Sequence, residues 1–173
     1  MKQEATPNIE IRLRMKQESS LTPRSPLYTP AQRERRNNSR WTLIQGILAP
    51  VQFLVFLISA ALLWRYITTG QGFELAAVSV VIKTLFLYAI MYTGALWEHD
   101  VYGQYLFAPA FYWEDVFSML VIALHTLYLF LYASGIGSST LLVWVAVAAY
   151  FTYVINAAQF VFKLRHARLS EAH

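Results

Sequence analysis

The stretch FYWEDVFSMLVIALHTLYLFLYA, Phe111 to Ala133, decides the fold. It is long enough to cross a hydrocarbon core of about 30 Å as one helix, and almost every residue in it is apolar. Yet it opens on two adjacent carboxylates, Glu114 and Asp115. Three more runs of similar length stand around it, about Thr42–Tyr66, Leu75–Trp97 and Thr140–Phe162. Backbone polar groups in lipid must be satisfied within the segment, so continuous apolar runs of this length read as helices. The connections Ile67–Glu74 and Ser134–Ser139 are tight, and Glu98–Ala110 is longer. Of 173 residues, 57% are hydrophobic and 14% charged, where a soluble domain carries about a quarter charged. The expected fold class is all-α: a polytopic membrane protein, with a four-transmembrane-helix bundle over residues 29–169 and a short N-terminal surface helix.

Orientation follows from the basic residues. Arg33, Arg35, Arg36 and Arg40 precede the first run, and Lys163, Arg165 and Arg168 follow the last. The two tight connections carry no Lys or Arg. The positive-inside rule therefore puts both termini, the Glu98–Ala110 connection and the acidic pair on the cytoplasmic side. The net charge of +4 is explained by juxtamembrane basic residues meeting anionic lipid, and requires no nucleic acid. With no cysteine, disulfides, thiolate nucleophiles and Cys-ligated zinc are excluded. No cleavable signal peptide is expected, since the first apolar run follows forty polar residues and is too long for a signal core.

Residues 1–28 read as a disordered polar tail, rich in proline and polar groups. In it Met1-Lys2-Gln3-Glu4 recurs as Met15-Lys16-Gln17-Glu18, which leaves the translation start open between Met1 and Met15. A helix should then begin with Thr29 as N-cap, Pro30 in the first turn and Gln32 closing a capping box. That short basic helix is expected on the membrane surface, with Trp41 at the interface.

Ionisable and amide side chains inside these runs are the candidates for function, because lipid packing does not call for them. Glu114 and Asp115 would form an acid/base pair, a carboxylic acid beside a carboxylate; alternatively both snorkel to the interface. Glu114, Ser118 and His125 share a helix face. His125 is either a hydrogen-bonded structural residue or a ligand. His99, in the connection, lies nearer the acids. Asn156 and Gln159 are neighbours at a depth similar to Glu114 and would pair with the acids or with a polar substrate edge. Gln45, Gln52 and Ser59 recur every seven residues and should face the bundle interior, for interhelical hydrogen bonds or to line a cleft. Lys83 lies about 12 Å in from the far side, either snorkelling outward or meeting an anionic group.

Three segments carry a family resemblance: Ser39-Arg40-Trp41-Thr42-Leu43-Ile44-Gln45-Gly46-Ile47-Leu48-Ala49-Pro50, Leu106-Phe107-Ala108-Pro109-Ala110-Phe111-Tyr112-Trp113-Glu114-Asp115-Val116-Phe117-Ser118-Met119, and Tyr153-Val154-Ile155-Asn156-Ala157-Ala158-Gln159-Phe160. They resemble the 3-vinyl bacteriochlorophyllide hydratases, called 2-vinyl in older nomenclature. The resemblance runs from about Tyr28 to Leu169 and is most specific in the aromatic-acidic segment, where Trp113 joins the candidate binding residues. It implies hydration of the C3-vinyl group of chlorophyllide a, or of its bacteriochlorin counterpart, to a 1-hydroxyethyl group in bacteriochlorophyll synthesis. It also implies the photosynthetic inner membrane of a bacterium, and leaves contacts with neighbouring pathway enzymes open. The chemistry needs no cofactor or enzyme-bound metal, since the magnesium belongs to the tetrapyrrole substrate. On this reading Glu114 and Asp115 are catalytic. Gln52, Lys83, His99, Trp113, His125, Asn156 and Gln159 face the pigment, with its propionate towards Lys83. A pigment-binding or assembly protein without catalysis is the alternative. A small multidrug exporter would want a carboxylate in its first helix, and a cytochrome b-like protein would want paired intramembrane histidines; neither pattern is present.

The orientation is open to direct measurement. Reporter fusions should read external at Gly72 and cytoplasmic at His173, and the opposite pair of signals would move the acidic pair to the other face of the membrane.

Overall fold

The computed structural model describes residues 27–171, without the side chains of 166, 170 and 171. The tail expected for residues 1–26, with its repeated tetrapeptide, lies outside the described residues. Five helices follow in order: α1 (Pro30–Asn38), α2 (Arg40–Thr69), α3 (Phe73–Tyr102), α4 (Tyr112–Ser134) and α5 (Ser139–Glu171). The last four are long and apolar enough to cross a membrane, and no strand occurs among the described residues.

α1 starts as its sequence dictates. The Thr29 hydroxyl accepts from the Gln32 N–H (3.3 Å), and the Gln32 side chain accepts from the Thr29 N–H (2.9 Å). Ser39 ends α1 and caps α2, accepting from the Trp41 N–H. α2 stops at Gly70 and α3 at Gly103, both left-handed (φ +70° and +83°), where a residue with a Cβ would be strained. The spans are longer than their apolar runs suggest; α3 continues to Tyr102 rather than stopping at Trp97.

α2 packs along α3 and α4 along α5, giving two hairpins that meet over a smaller interface through α3–α4 and α2–α5. Phe56, Val80, Leu87, Val121, Tyr150 and Tyr153 join in one core. Ala146 and Ala149 are fully enclosed, and small residues let helices approach closely where lipid gives no hydrophobic drive to association. Leu43, Trp64, Trp144, Phe151 and Phe162 point outward, as a lipid-facing surface requires. The heptad face of α2 turns inward. Gln45 donates to the Ile90 carbonyl (3.2 Å) and the Thr93 hydroxyl (2.6 Å), and Ser59 hydrogen-bonds Ser79 and Tyr150.

α1 is fastened to the end of α3. Ser39 donates to Asp100 (2.7 Å), Thr42 to the Arg36 carbonyl (2.6 Å) and Trp97 to Thr42 (3.0 Å). Tyr28, placed by the sequence at the end of the tail, is only 3% exposed. It stacks on Tyr102 at 6.0 Å, with the Arg36 guanidinium 4.5 Å from its ring centroid. Tyr28 is thus part of the packed structure although it precedes the helix cap, because the Tyr102 ring and the Arg36 cation both rest on it. Thr29→Ala removes the cap acceptor and should cost about 1 kcal/mol of local stability. Amide exchange should accelerate across Pro30–Asn38 while the long helices keep their protection; unchanged exchange there would show that the tertiary ties alone hold α1.

Candidate active site

The acidic pair sits in the first turn of α4, where free N–H groups and the helix dipole favour negative charge. Adjacent on a helix, the two side chains leave about 100° apart and find different partners. Glu114 accepts from Lys163 on α5 at 2.6 Å, and the same ammonium lies 5.0 Å from the Phe111 ring centroid. Asp115 accepts from the Phe107 N–H at 2.7 Å. Its carboxyl also meets, side chain to side chain, the carboxyl of Glu98 from the last turns of α3. Glu98 in turn accepts from the Ala108 N–H at 3.2 Å. All three carboxyl groups are buried.

The backbone between α3 and α4 is bent to suit these contacts. Phe107 has φ +60°, a left-handed conformation that costs a non-glycine residue about 1–3 kcal/mol. Asp115 and Glu98 hold the two successive N–H groups of this bend, so the strained segment and the carboxyl pair fix one another. Beside them the rings of Trp97, Tyr102 and Phe160 pack around Phe111 at 5.6–6.0 Å, the first two edge-on and Phe160 stacked.

Deeper in, Asn156 donates to Ser118 at 2.8 Å, one turn beyond the acids on α4. Asn156 Oδ1, Gln159 Oε1 and Gln52 Nε2 are buried without hydrogen-bond partners. Gln52 lies one turn before Phe56 on α2, and Asn156 about one turn after Tyr153 on α5. Since the Phe56 and Tyr153 rings touch at 4.8 Å, helical register puts these amides at one level, on the carboxyl side of the core. Unpaired buried amides are uncommon and mark places where a polar ligand edge can be read.

The remaining candidates fall elsewhere. His99 is exposed and stacks on Tyr105 at 4.3 Å, away from the acids. Trp113 is 67% exposed and faces outward, its ring against Tyr112. Lys83 and His125 meet each other, Nζ to Nε2 at 2.7 Å, in a second polar centre further along the bundle. His125 Nδ1 lies 2.7 Å from the Val121 carbonyl, to which it donates, so both ring nitrogens are committed and neither is free to ligate a metal.

Glu98 is the residue that sequence reasoning passed over as a site residue. With α3 ended at Trp97 it falls in a loop, where nothing directs its side chain. With α3 continued, Thr84, Leu87, Met91, Gly94, Glu98 and Val101 form one seam at alternating spacings of three and four, which turns Glu98 into the bundle and leaves its neighbours His99 and Asp100 outside.

The Glu114–Lys163 ion pair can be tested by itself. Lys163→Met leaves a buried carboxyl without its cation and should lower stability by roughly 1–3 kcal/mol. Adding Glu114→Gln in the same chain should recover most of that loss in denaturant or thermal unfolding, and no recovery would mean that the two groups are not energetically coupled.

The comparisons with known proteins agree with one another. The family model described as 2-vinyl bacteriochlorophyllide hydratase matches residues 28–166. A protein of that description from Cereibacter sphaeroides is 58% identical over 155 residues, covering 90% of this chain and 96% of the relative. Another from Rhodobacter capsulatus is 57% identical over 149 residues, 86% of each chain. No solved structure matches. Matched along nearly all its described length, and at this identity, the chain belongs to the 2-vinyl bacteriochlorophyllide hydratase family.

Proposed function

We propose that this chain is a hydro-lyase that adds water across the vinyl group of a chlorophyllide or bacteriochlorophyllide, with Asp115 and Glu98 as its proton-transferring pair. One observation carries the assignment of residues: the carboxyl groups of Asp115 and Glu98 meet side chain to side chain, from two different helices. Two carboxyl groups share a hydrogen bond only when one of them carries a proton, so the pair holds an acid and a base together. Glu114, expected to be the second member, is turned instead to Lys163 and supplies a fixed ion pair beside the reacting groups.

Hydration needs an acid first and a base second. The protonated carboxyl gives its proton to the terminal vinyl carbon, and the π electrons become the new C–H bond. The positive charge left on the inner carbon spreads into the macrocycle. A water oxygen then bonds to that carbon, and its surplus proton passes to a carboxylate of the pair. One water is consumed, a 1-hydroxyethyl group is formed, and the pair again holds one proton. No electron is transferred, so the steps call for no redox partner. The aromatic cluster of Trp97, Tyr102, Phe111 and Phe160 supplies an apolar surrounding suited to an aromatic macrocycle. The unpartnered Gln52 Nε2, Asn156 Oδ1 and Gln159 Oε1 suit polar groups on its rim.

The fold supports a place in a membrane. The finer placement, in the photosynthetic inner membrane of a bacterium with both termini cytoplasmic and pathway neighbours beside it, is part of this proposal and rests on the basic flanks and the family's chemistry.

The test is product formation. Membranes containing the protein, given 3-vinyl chlorophyllide, should yield a pigment heavier by one water, and a protein that binds the pigment without converting it would be a carrier instead. Asp115→Asn and Glu98→Gln should each lower turnover by about 10²–10⁴-fold, with Glu114→Gln milder than either. Near-normal turnover in both dyad variants would reduce the pair to a backbone clamp for the loop.

A further inference from the structure

The second polar centre is harder to explain by folding than the first. Lys83 on α3 and His125 on α4 are both fully enclosed. They belong to different hairpins, so their 2.7 Å contact lies across the smaller of the bundle's interfaces. The Lys83 ammonium sits 3.9 Å from the Tyr153 ring centroid and 5.7 Å from that of Tyr150. Among the described residues His125 is its hydrogen-bond partner, and no Asp or Glu pairs with it. A lysine has three N–H donors, and a cation in hydrocarbon is costly unless an anion answers it. Aromatic faces and a neutral imidazole stabilise the ammonium only in part. The protein has built a cation site and supplied no anion.

We infer that Lys83, held in place by His125 and Tyr153, receives the propionate carboxylate of the pigment. The inference rests on the hydratase reading for the identity of the ligand. Its geometry follows from α4, on which Asp115 and His125 are ten residues apart, or about 15 Å at helical rise. That separation is comparable to the span from the vinyl group to the carboxylate of an extended propionate on the neighbouring pyrrole ring, once the Asp115 and Lys83 side chains reach towards the two ends. A ring whose vinyl group lies at Asp115 and Glu98 therefore places its carboxylate at the level of Lys83. Gln52 and Asn156 fall between the two levels, where the rim of such a ring passes. Entry is through the seam between the hairpins, the same seam that the Lys83–His125 contact bridges. Lys83 would thus set the orientation of the ring, and with it which edge meets the carboxyl pair.

Esterification separates charge from shape. Binding of chlorophyllide a and of its methyl ester to the intact protein is followed by pigment fluorescence, and hydration of each by product mass. Wild type should bind the free acid roughly 10–100-fold more tightly than the ester, the range of a charge-assisted hydrogen bond. Lys83→Met should erase that preference by weakening the acid and leaving the ester unchanged, while Lys83→Arg keeps part of it. Equal affinity of wild type for acid and ester overturns the inference, however the variants fold. A variant that loses acid and ester alike also overturns it, leaving Lys83 as a latch between hairpins. Oleate offers the same carboxylate without the ring. It should not displace the pigment at matched concentration, and displacement would assign the site to a lipid acid instead. Hydration of both pigments at equal rates and affinities would sink this inference alone, whereas hydration of neither would sink the hydratase reading and leave the binding preference to be judged separately.

Discussion

The contact on which the rest of this site depends is the double clamp at the α3–α4 connection, where Asp115 receives the Phe107 N–H and Glu98 the Ala108 N–H. Each helix contributes one carboxyl, and the strained bend at Phe107 lies between them. A loop at the end of two membrane helices has backbone donors that must be satisfied while apolar rings close over them. Using carboxyl groups for this also brings two acids into contact, an arrangement that either helix alone cannot produce. On the proposed mechanism structure and chemistry share the same atoms, and a variant that changes one carboxyl acts on both.

Lys163 completes the arrangement from α5, the other helix of the second hairpin. By taking Glu114 it separates the neighbouring carboxyls into an ion pair and an acid–acid contact. Without that cation, three buried carboxyls would compete for the same protons and the same few N–H donors, and like charges so placed repel strongly. The Phe111 ring lies beneath the Lys163 ammonium and packs against Trp97, Tyr102 and Phe160. The polar contacts and the aromatic cluster are thus joined through a single residue at the start of α4.

The two hairpins are well packed within themselves and less so against each other. Polar contacts bridge that seam, where Ser59–Tyr150 joins α2 to α5 and both Lys83–His125 and Tyr88–Thr126 join α3 to α4, while Glu114–Lys163 and Ser118–Asn156 lie beside it within the second hairpin. In lipid, helix pairs gain little from apolar contact alone, so hydrogen bonds and close packing decide where they hold together. A seam fastened by a few polar contacts and lined by unpaired amides is where a flat ligand can be accommodated with least loss of packing.

Composition and the spacing of apolar runs were enough to read four spans, because a bilayer demands length and hydrophobicity and little else. The Thr29 cap, the inward heptad face of α2 and the interest of Glu114 and Asp115 were legible for similar reasons, each being a local pattern with a local cause. The pairing of side chains was not legible. Glu98 stayed hidden because its direction depends on whether α3 continues for one more turn, and tertiary contacts with α1 and the clamped loop settle that. Trp113 and His99 share the acidic neighbourhood in sequence but point away in space, since adjacent helical residues diverge by about 100°. Lys83 and His125 stand forty-two residues apart in the chain and meet at 2.7 Å. Sequence by itself determined the membrane-spanning bundle and the residue types available for chemistry. Only the packing of one hairpin on the other decided which carboxyls touch and where the buried cation lies, because such contacts join segments whose separation along the chain carries no record of their distance in space.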